Sequence, residues 1–127
     1  NKIIKNCEAI ASIDARGFIF GSSIAFNIGK PMVVLRKPGK LPGELITANY
    51  ELEYGKNSLS IQKDSIEKFS SFAIVDDLLA TGGTANCAFS LLKSLNKEIT
   101  GISVVAELVN LNARQILKMD IVSQIKL

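Results

Sequence analysis

The sequence predicts an α/β domain: a mainly parallel, twisted sheet flanked by helices. Three observations predict it. Short apolar runs recur along the chain, stretches with helical spacing separate them, and a strand-rich insertion interrupts the alternation once. The length, 127 residues, suits a single domain, so 1–127 reads as one unit. Hydrophobic residues at 47% against charged residues at 21% are enough to bury a core and exclude intrinsic disorder.

The segment 8–13 reads as a short buried strand. The segment 16–28 carries the small residues Gly21, Ser22, Ser23 and Ala25, which let a helix lie close on a sheet, and Gly29-Lys30-Pro31 stops it. Residues 32–35 form a second apolar strand. The stretch 36–44 is a loop, since it holds two prolines, two glycines and three cations. From Asn49 to Tyr54 apolar and polar residues alternate, and Leu59 and Ile61 alternate with Ser58, Ser60 and Gln62. These two segments pair as an antiparallel ribbon turning around Gly55-Lys56-Asn57. Asp64-Ser65-Ile66-Glu67 has capping-box spacing and starts one helical turn. The apolar strand 72–75 ends in Asp76 and Asp77. Ala88, Leu91, Leu92 and Leu95 make the apolar stripe of a helix over 84–95. A strand at 102–106, a helical stretch at 112–118 and a strand at 121–125 complete the chain.

Composition removes several chemistries. There is no histidine, so Ser-His-Asp and Cys-His systems and His-ligated zinc are excluded. Acid–base work falls to Asp, Glu, Lys or Tyr, and any metal sits on oxygen ligands, which points to magnesium. Cys7 and Cys87 are too few for a disulfide framework and read as small apolar residues. Met32, Met119 and the six phenylalanines, Phe18, Phe20, Phe26, Phe69, Phe72 and Phe89, read as core, with Phe18 beneath the loop at Arg16. The net charge of +3 does not mark a nucleic-acid binder, and the longest apolar runs fall far short of a membrane span. A cytoplasmic protein is expected, with neither nucleic acid nor membrane as partner. The chain opens on Asn1 without a Met, so a start further upstream is expected.

The most informative stretch runs from Ala73 through Asp76, Asp77, Ala80, Thr81, Gly82 and Gly83 to Thr84. It is a buried strand, two carboxylates at its C-terminal end, a turn of small residues and a helix start. Ligands of open α/β sheets bind beyond the carboxyl ends of the strands. The small-residue turn exposes backbone N–H groups, and the helix start adds the positive end of its dipole, so the arrangement is a phosphate cradle. The Thr81 and Thr84 hydroxyls are extra donors, while Asp76 and Asp77 can accept hydrogen bonds from sugar hydroxyls. The plainer alternative is a tight turn with Thr84 as N-cap and two solvated aspartates.

This stretch resembles the phosphoribosyl pyrophosphate signature of the type I phosphoribosyltransferases. Three further motifs, Ile13-Asp14-Ala15-Arg16-Gly17-Phe18, Arg36-Lys37-Pro38-Gly39-Lys40-Leu41-Pro42 and Leu52-Glu53-Tyr54-Gly55 with Tyr50 before it, resemble the adenine phosphoribosyltransferases in order and spacing. The resemblance implies that family's fold, with its antiparallel flexible-loop ribbon. It implies transfer of a phosphoribosyl group from phosphoribosyl pyrophosphate to adenine, giving AMP and pyrophosphate in purine salvage. Asp76, Asp77, Ala80, Thr81, Gly82, Gly83 and Thr84 then hold the ribose and 5′-phosphate. Ala15 and Arg16, in a loop often built with a cis peptide, bind pyrophosphate with Arg36, Lys37 and Lys40. For Lys37 a solvated basic loop is an equal reading, and Arg16 alone reads as a solvated strand end. Glu53 is the catalytic carboxylate that handles a purine proton, with Tyr54 beside it in the flexible loop.

The resemblance also implies Mg2+ held mainly through substrate, with no protein ligand assigned, and a homodimer. Family members carry roughly a further third of a small domain ahead of the first strand, a hood that recognises adenine. The expectation is therefore a core domain truncated at its N-terminus. The alternatives are a phosphoribosyl pyrophosphate-binding regulator, an inactive fragment, or a transferase for another base.

Overall fold

A computed structural model describes residues 1–52 and 55–127, and the side chains of residues 50–57 lie outside that description. In chain order the elements are α1 (Lys2–Asn6), β1 (Ala9–Ile13), α2 (Gly17–Ile28), β2 (Met32–Leu35), β3 (Leu45–Leu52), β4 (Gly55–Gln62), α3 (Lys63–Glu67), β5 (Ser71–Leu79), α4 (Gly83–Ser94), β6 (Glu98–Glu107) and β7 (Ile121–Lys126). Among the described residues five strands form one sheet in the order β2-β1-β5-β6-β7, every pair parallel. Both faces are covered, which is why β1 and the first half of β5 are buried without alternation and mostly apolar.

The period of two still decides which face each residue enters. Ala9, Ala11, Ile13, Phe72 and Ile74 pack with Ala85, Ala88, Leu91 and Leu92 of α4 on one face. Ile10, Ala73 and Val75 pack on the other with Ile3 and Ile4 of α1 and Ala25 of α2. The predicted elements therefore recur with small shifts: β5 continues through both aspartates to Leu79 because β6 pairs beside it as far as Leu79–Glu107.

The ribbon differs more. Its strands pair from Leu45–Gln62 to Leu52–Gly55, so Gly55, Lys56 and Asn57 lie in β4 opposite Leu52, Glu51 and Tyr50 rather than in a turn. Burial sets this register. Ile46 opposes Ile61 and Ala48 opposes Leu59, and all four pack toward the core, which pins the ladder from its base. At that base Arg36 bridges to Ser60 through two backbone hydrogen bonds of 3.0 and 2.7 Å.

Four further expectations are corrected. The capping box at 64–67 does not form: α3 starts at Lys63 with Gln62 as its cap, because the Lys63 N–H donates to the Glu44 carbonyl at the ribbon's foot. The stretch 112–118 is not one helix. Asn112 takes a left-handed φ of 55° and separates two single 3-10 turns, Val109–Leu111 and Ala113–Gln115. Phe26 is 91% and Phe20 37% exposed, because Gly17, Gly21 and Ala25 occupy the sheet-facing stripe of α2. Phe18 lies under the Arg36 guanidinium, 5.6 Å from its ring centre, rather than under Arg16.

The short α1 had no sequence signal strong enough to predict it. The Asn1 side chain accepts from the Ile4 N–H, and the Lys30 ammonium closes the other end on the carbonyls of Ile4, Lys5 and Cys7. Cys7 and Cys87 are buried and unpaired, as read from the sequence. No helix among the described residues is long and apolar enough to cross a membrane.

Candidate active site

The site lies at the C-terminal edge of the sheet. There β5 delivers Asp76 and Asp77, and the turn Ala80–Gly82 reverses the chain into α4. Gly82 caps that helix with φ of 89°, a left-handed conformation that suits glycine. A Cβ there would also stand 3.1 Å from both Ala113 Cβ and Ile116 Cδ1. The cap is thus Gly82, not Thr84. The first turn of α4 directs backbone N–H groups and the positive end of its dipole into the space above the turn.

That space is a cavity of about 390 Å³. Of the residues the sequence singled out, Ala15, Arg16, Lys37, Asp76, Asp77, Ala80, Thr81, Gly82, Gly83 and Thr84 all line it. The peptide Asp14–Ala15 is cis. Gly17, the first residue of α2, brings the Arg16 loop onto β5: a Cβ at Gly17 would stand 2.9 Å from Asp76 Oδ1. Two predicted cations are not in the lining. Arg36 and Lys40 both face Asp14, at 3.3 and 3.5 Å. Glu53 and Tyr54 lie outside the described residues.

The aspartates are distinct in charge. Burial, reinforced by the neighbouring Asp77 carboxylate, pushes the Asp76 carboxyl up to about 7. Asp76 Oδ1 accepts the Asp77 N–H at 2.8 Å. Burial also works against charge on Asp77, but the Arg16 guanidinium that donates to it and the bond with Asp76 hold its carboxyl below the ordinary range. One residue is an acid that can donate or accept near neutrality, and the other is a fixed carboxylate bound to a cation.

Asp14 was not among the predicted site residues. Its side chain is almost wholly buried, and one oxygen, Oδ2, receives the Arg36 Nε–H and the Lys37 backbone N–H (3.3 and 3.4 Å) with the Lys40 ammonium beside it. Burial works to raise its pKa, yet these three groups together hold it low. The signal was in the register. Ile13 and Leu35 are partners across a parallel pair, so the next residues, Asp14 and Arg36, emerge side by side. Asp14 thus gathers the cationic loop at the edge of the cavity.

Among the described residues no cluster of three or more acidic, cysteine or histidine side chains could hold a metal ion. Asp76 and Asp77 offer oxygen donors of the kind magnesium takes, but two carboxylates, one of them engaged by Arg16, leave most of an octahedral shell unfilled. The donor set fits a magnesium ion carried mainly by the oxygens of a bound anion.

Residues 2–123 match the phosphoribosyl transferase domain family. The adenine phosphoribosyltransferase of Prochlorococcus marinus strain MIT 9211 is 64% identical over 124 residues, which cover 98% of this chain and 72% of that protein. The crystal structure of adenine phosphoribosyltransferase from Thermoanaerobacter pseudethanolicus superposes with a TM-score of 0.91 at 43% identity, over 99% of this chain and 75% of that one. The Saccharomyces cerevisiae enzyme, solved with an imino-altritol bisphosphate and adenine, gives 0.88 at 39% identity, over 94% of this chain and 68% of that one.

Proposed function

Because the chain belongs to the phosphoribosyl transferase family, and within it to the adenine phosphoribosyltransferases, we propose that the cavity beyond β5 binds phosphoribosyl pyrophosphate and that its phosphoribosyl group passes to adenine, giving AMP and pyrophosphate. The observation that carries this is one cavity uniting a glycine-capped helix start, a carboxylate pair and the cations Arg16 and Lys37. A sugar bearing phosphates at both ends needs those three environments, the carboxylates serving the sugar between the two phosphate sites.

The 5′-phosphate rests on the turn from Ala80 to Thr84, where backbone N–H groups donate to it. Asp76 and Asp77 accept from the ribose hydroxyls. The pyrophosphate lies between the Ala15–Arg16 loop and Lys37, with Arg36 and Lys40 behind, held in place by Asp14. As the bond to pyrophosphate breaks, positive charge builds on the ribose ring, much as in glycoside hydrolysis. Catalysis is then mostly positioning and electrostatics. Glu53 accepts the purine proton at N7 as N9 attacks the ribose carbon, with Tyr54 beside it closing the ribbon over the reacting atoms and keeping water out. Asp76 and Asp77 could lend oxygen donors to a magnesium ion carried by the substrate, which would supply further positive charge to the leaving group. A homodimer acting in the cytoplasm belongs to the same reading.

The test is to incubate the chain with magnesium and phosphoribosyl pyrophosphate and, separately, adenine, hypoxanthine, guanine or orotate, resolving the nucleotides by chromatography. AMP from adenine alone, lost in Glu53→Gln, is the expected result. Thermal stabilisation by phosphoribosyl pyrophosphate with no nucleotide from any base would replace the reading with a binding protein.

A further inference from the structure

Glu107 and Arg114 belong to no part of the chemistry above, and neither lines the cavity. Glu107 is the last residue of β6 and only 2% exposed. Its carboxylate receives a two-pronged grip from Arg114, Nε–H to Oε1 at 2.7 Å and Nη2–H to Oε2 at 2.8 Å, and the Ser123 hydroxyl donates to Oε2 at 2.7 Å. A forked pair of this kind fixes direction as well as distance. It ties β6, β7 and the turn Ala113–Gln115 together.

What that turn touches is the phosphate-binding turn. Gly82 packs closely on Ala113 and Ile116, the residues just before Arg114 and two beyond it, and a methyl group added at Gly82 would stand 3.1 Å from each, so that they would have to give way. The other end of the phosphate turn is held by the same stretch of chain, since the Leu108 N–H donates to the Leu79 carbonyl at 2.9 Å. Leu79 and Gly82 bracket Ala80 and Thr81, so both ends of the turn rest on the segment from 108 to 116. That segment has little core of its own. Val109, Leu111 and Ile116 are exposed, and its two 3-10 turns are interrupted by the left-handed Asn112. Its buried anchor is Ala113, and the ion pair, with Glu107 buried and Arg114 about half exposed, adds a second fixed attachment.

We propose that the Glu107–Arg114 pair is a positioning device for the 5′-phosphate turn, acting through Ala113 and Ile116 on Gly82. The proposal rests on the reading of the cavity given above. The pyrophosphate side of the cavity, built from Ala15, Arg16 and Lys37, does not rest on this brace. A positioning role therefore weakens one end of the substrate selectively, whereas a purely structural role weakens both or neither.

The experiment measures, on the full chain held well below its thermal midpoint, dissociation constants for ribose 5-phosphate and for inorganic pyrophosphate, together with KM for phosphoribosyl pyrophosphate and kcat. Glu107→Gln and Arg114→Lys are expected to weaken ribose 5-phosphate binding and raise KM about tenfold, with kcat within about twofold and pyrophosphate binding unchanged. Ile116→Ala, at a half-exposed position whose side chain is not part of the ion pair, is expected to keep the fold and to give a smaller loss of the same kind, about threefold. Equal losses for both ligands, or a lowered thermal midpoint with unaltered ribose 5-phosphate binding, would overturn the proposal. If the unaltered chain binds pyrophosphate but not ribose 5-phosphate, the reading of the phosphate turn itself fails, and the proposal with it.

Discussion

From Asp76 to Ala85 one continuous stretch builds a wall of the cavity out of backbone and short side chains, whereas the facing wall is gathered from Ala15–Arg16 and Lys37 on two separate connections. The first wall is held by local geometry: a paired strand, a left-handed glycine and a helix start. The second depends on the parallel register of β1 and β2 and on the single buried carboxylate of Asp14, which holds Arg36 and Lys40 while Lys37 is left to the cavity. A wall made mostly of backbone hydrogen-bond donors is less sensitive to salt than one made of long, solvated cations, whose interactions are more strongly screened.

Four changes separate these regions, taken from the largest expected effect. Glu53→Gln, a change at the proposed proton acceptor, is expected to lower kcat by about 10²- to 10³-fold without altering binding of ribose 5-phosphate or pyrophosphate. Single-turnover kinetics beside equilibrium binding measure this, and a change in binding alone would count against the catalytic role. Gly82→Ala attacks the backbone wall. Its φ of 89° and the crowding by Ala113 and Ile116 cost about 1–3 kcal/mol. Titration should show ribose 5-phosphate binding weakened about 10- to 100-fold and pyrophosphate binding nearly unchanged.

Lys37→Ala is the mirror experiment on the gathered wall. Lys37 is exposed, so pyrophosphate affinity should fall only about fivefold at low salt. That difference should shrink as ionic strength rises, while the variant and the parent chain bind ribose 5-phosphate equally at each ionic strength. The smallest effect is on stability. The Asp76 carboxyl is raised to about 7 in the folded chain from the ordinary 3.8, so its contribution to stability is fully present below 3.8 and lost as pH rises through 7. Asp76→Asn should therefore raise the thermal midpoint, relative to the parent chain, more at pH 8 than at pH 5. An equal difference at both values would mean that Asp76 titrates normally. Glu107 runs the other way: Arg114 and Ser123 hold it at about 2, so its contribution is present above 4.5 and lost as pH falls through 2.

The backbone wall was legible because its residues are contiguous. Strand, carboxylates, glycines and helix stripe follow one another between 72 and 95, and each obeys a short-range rule. The ribbon was legible as a pair of alternating segments, but its turn was misplaced, since Gly55-Lys56-Asn57 suggests a turn locally and only the burial of Ile46, Ala48, Leu59 and Ile61 moves those residues into β4. Phe26 misled for a related reason. Hydrophobicity alone marks it as core, while the helix face it lies on was decided by where Gly17 and Gly21 meet the sheet.

What the sequence by itself determined is therefore the local chemistry: an α/β alternation, a small-residue turn after an acidic strand end, cations on a loop rich in proline and glycine, and no histidine among the 127 residues. What only the tertiary structure decided is which distant groups meet. The partnership of Asp14 with Arg36 and Lys40 follows from two parallel strands ending in register, and the grip of Arg114 on Glu107 follows from β6 and β7 lying side by side. Short-range order is set by backbone preferences over a few residues, which a sequence states directly. Long-range encounters are set by the packing of whole elements, whose energy is shared among many residues and written at no single one of them.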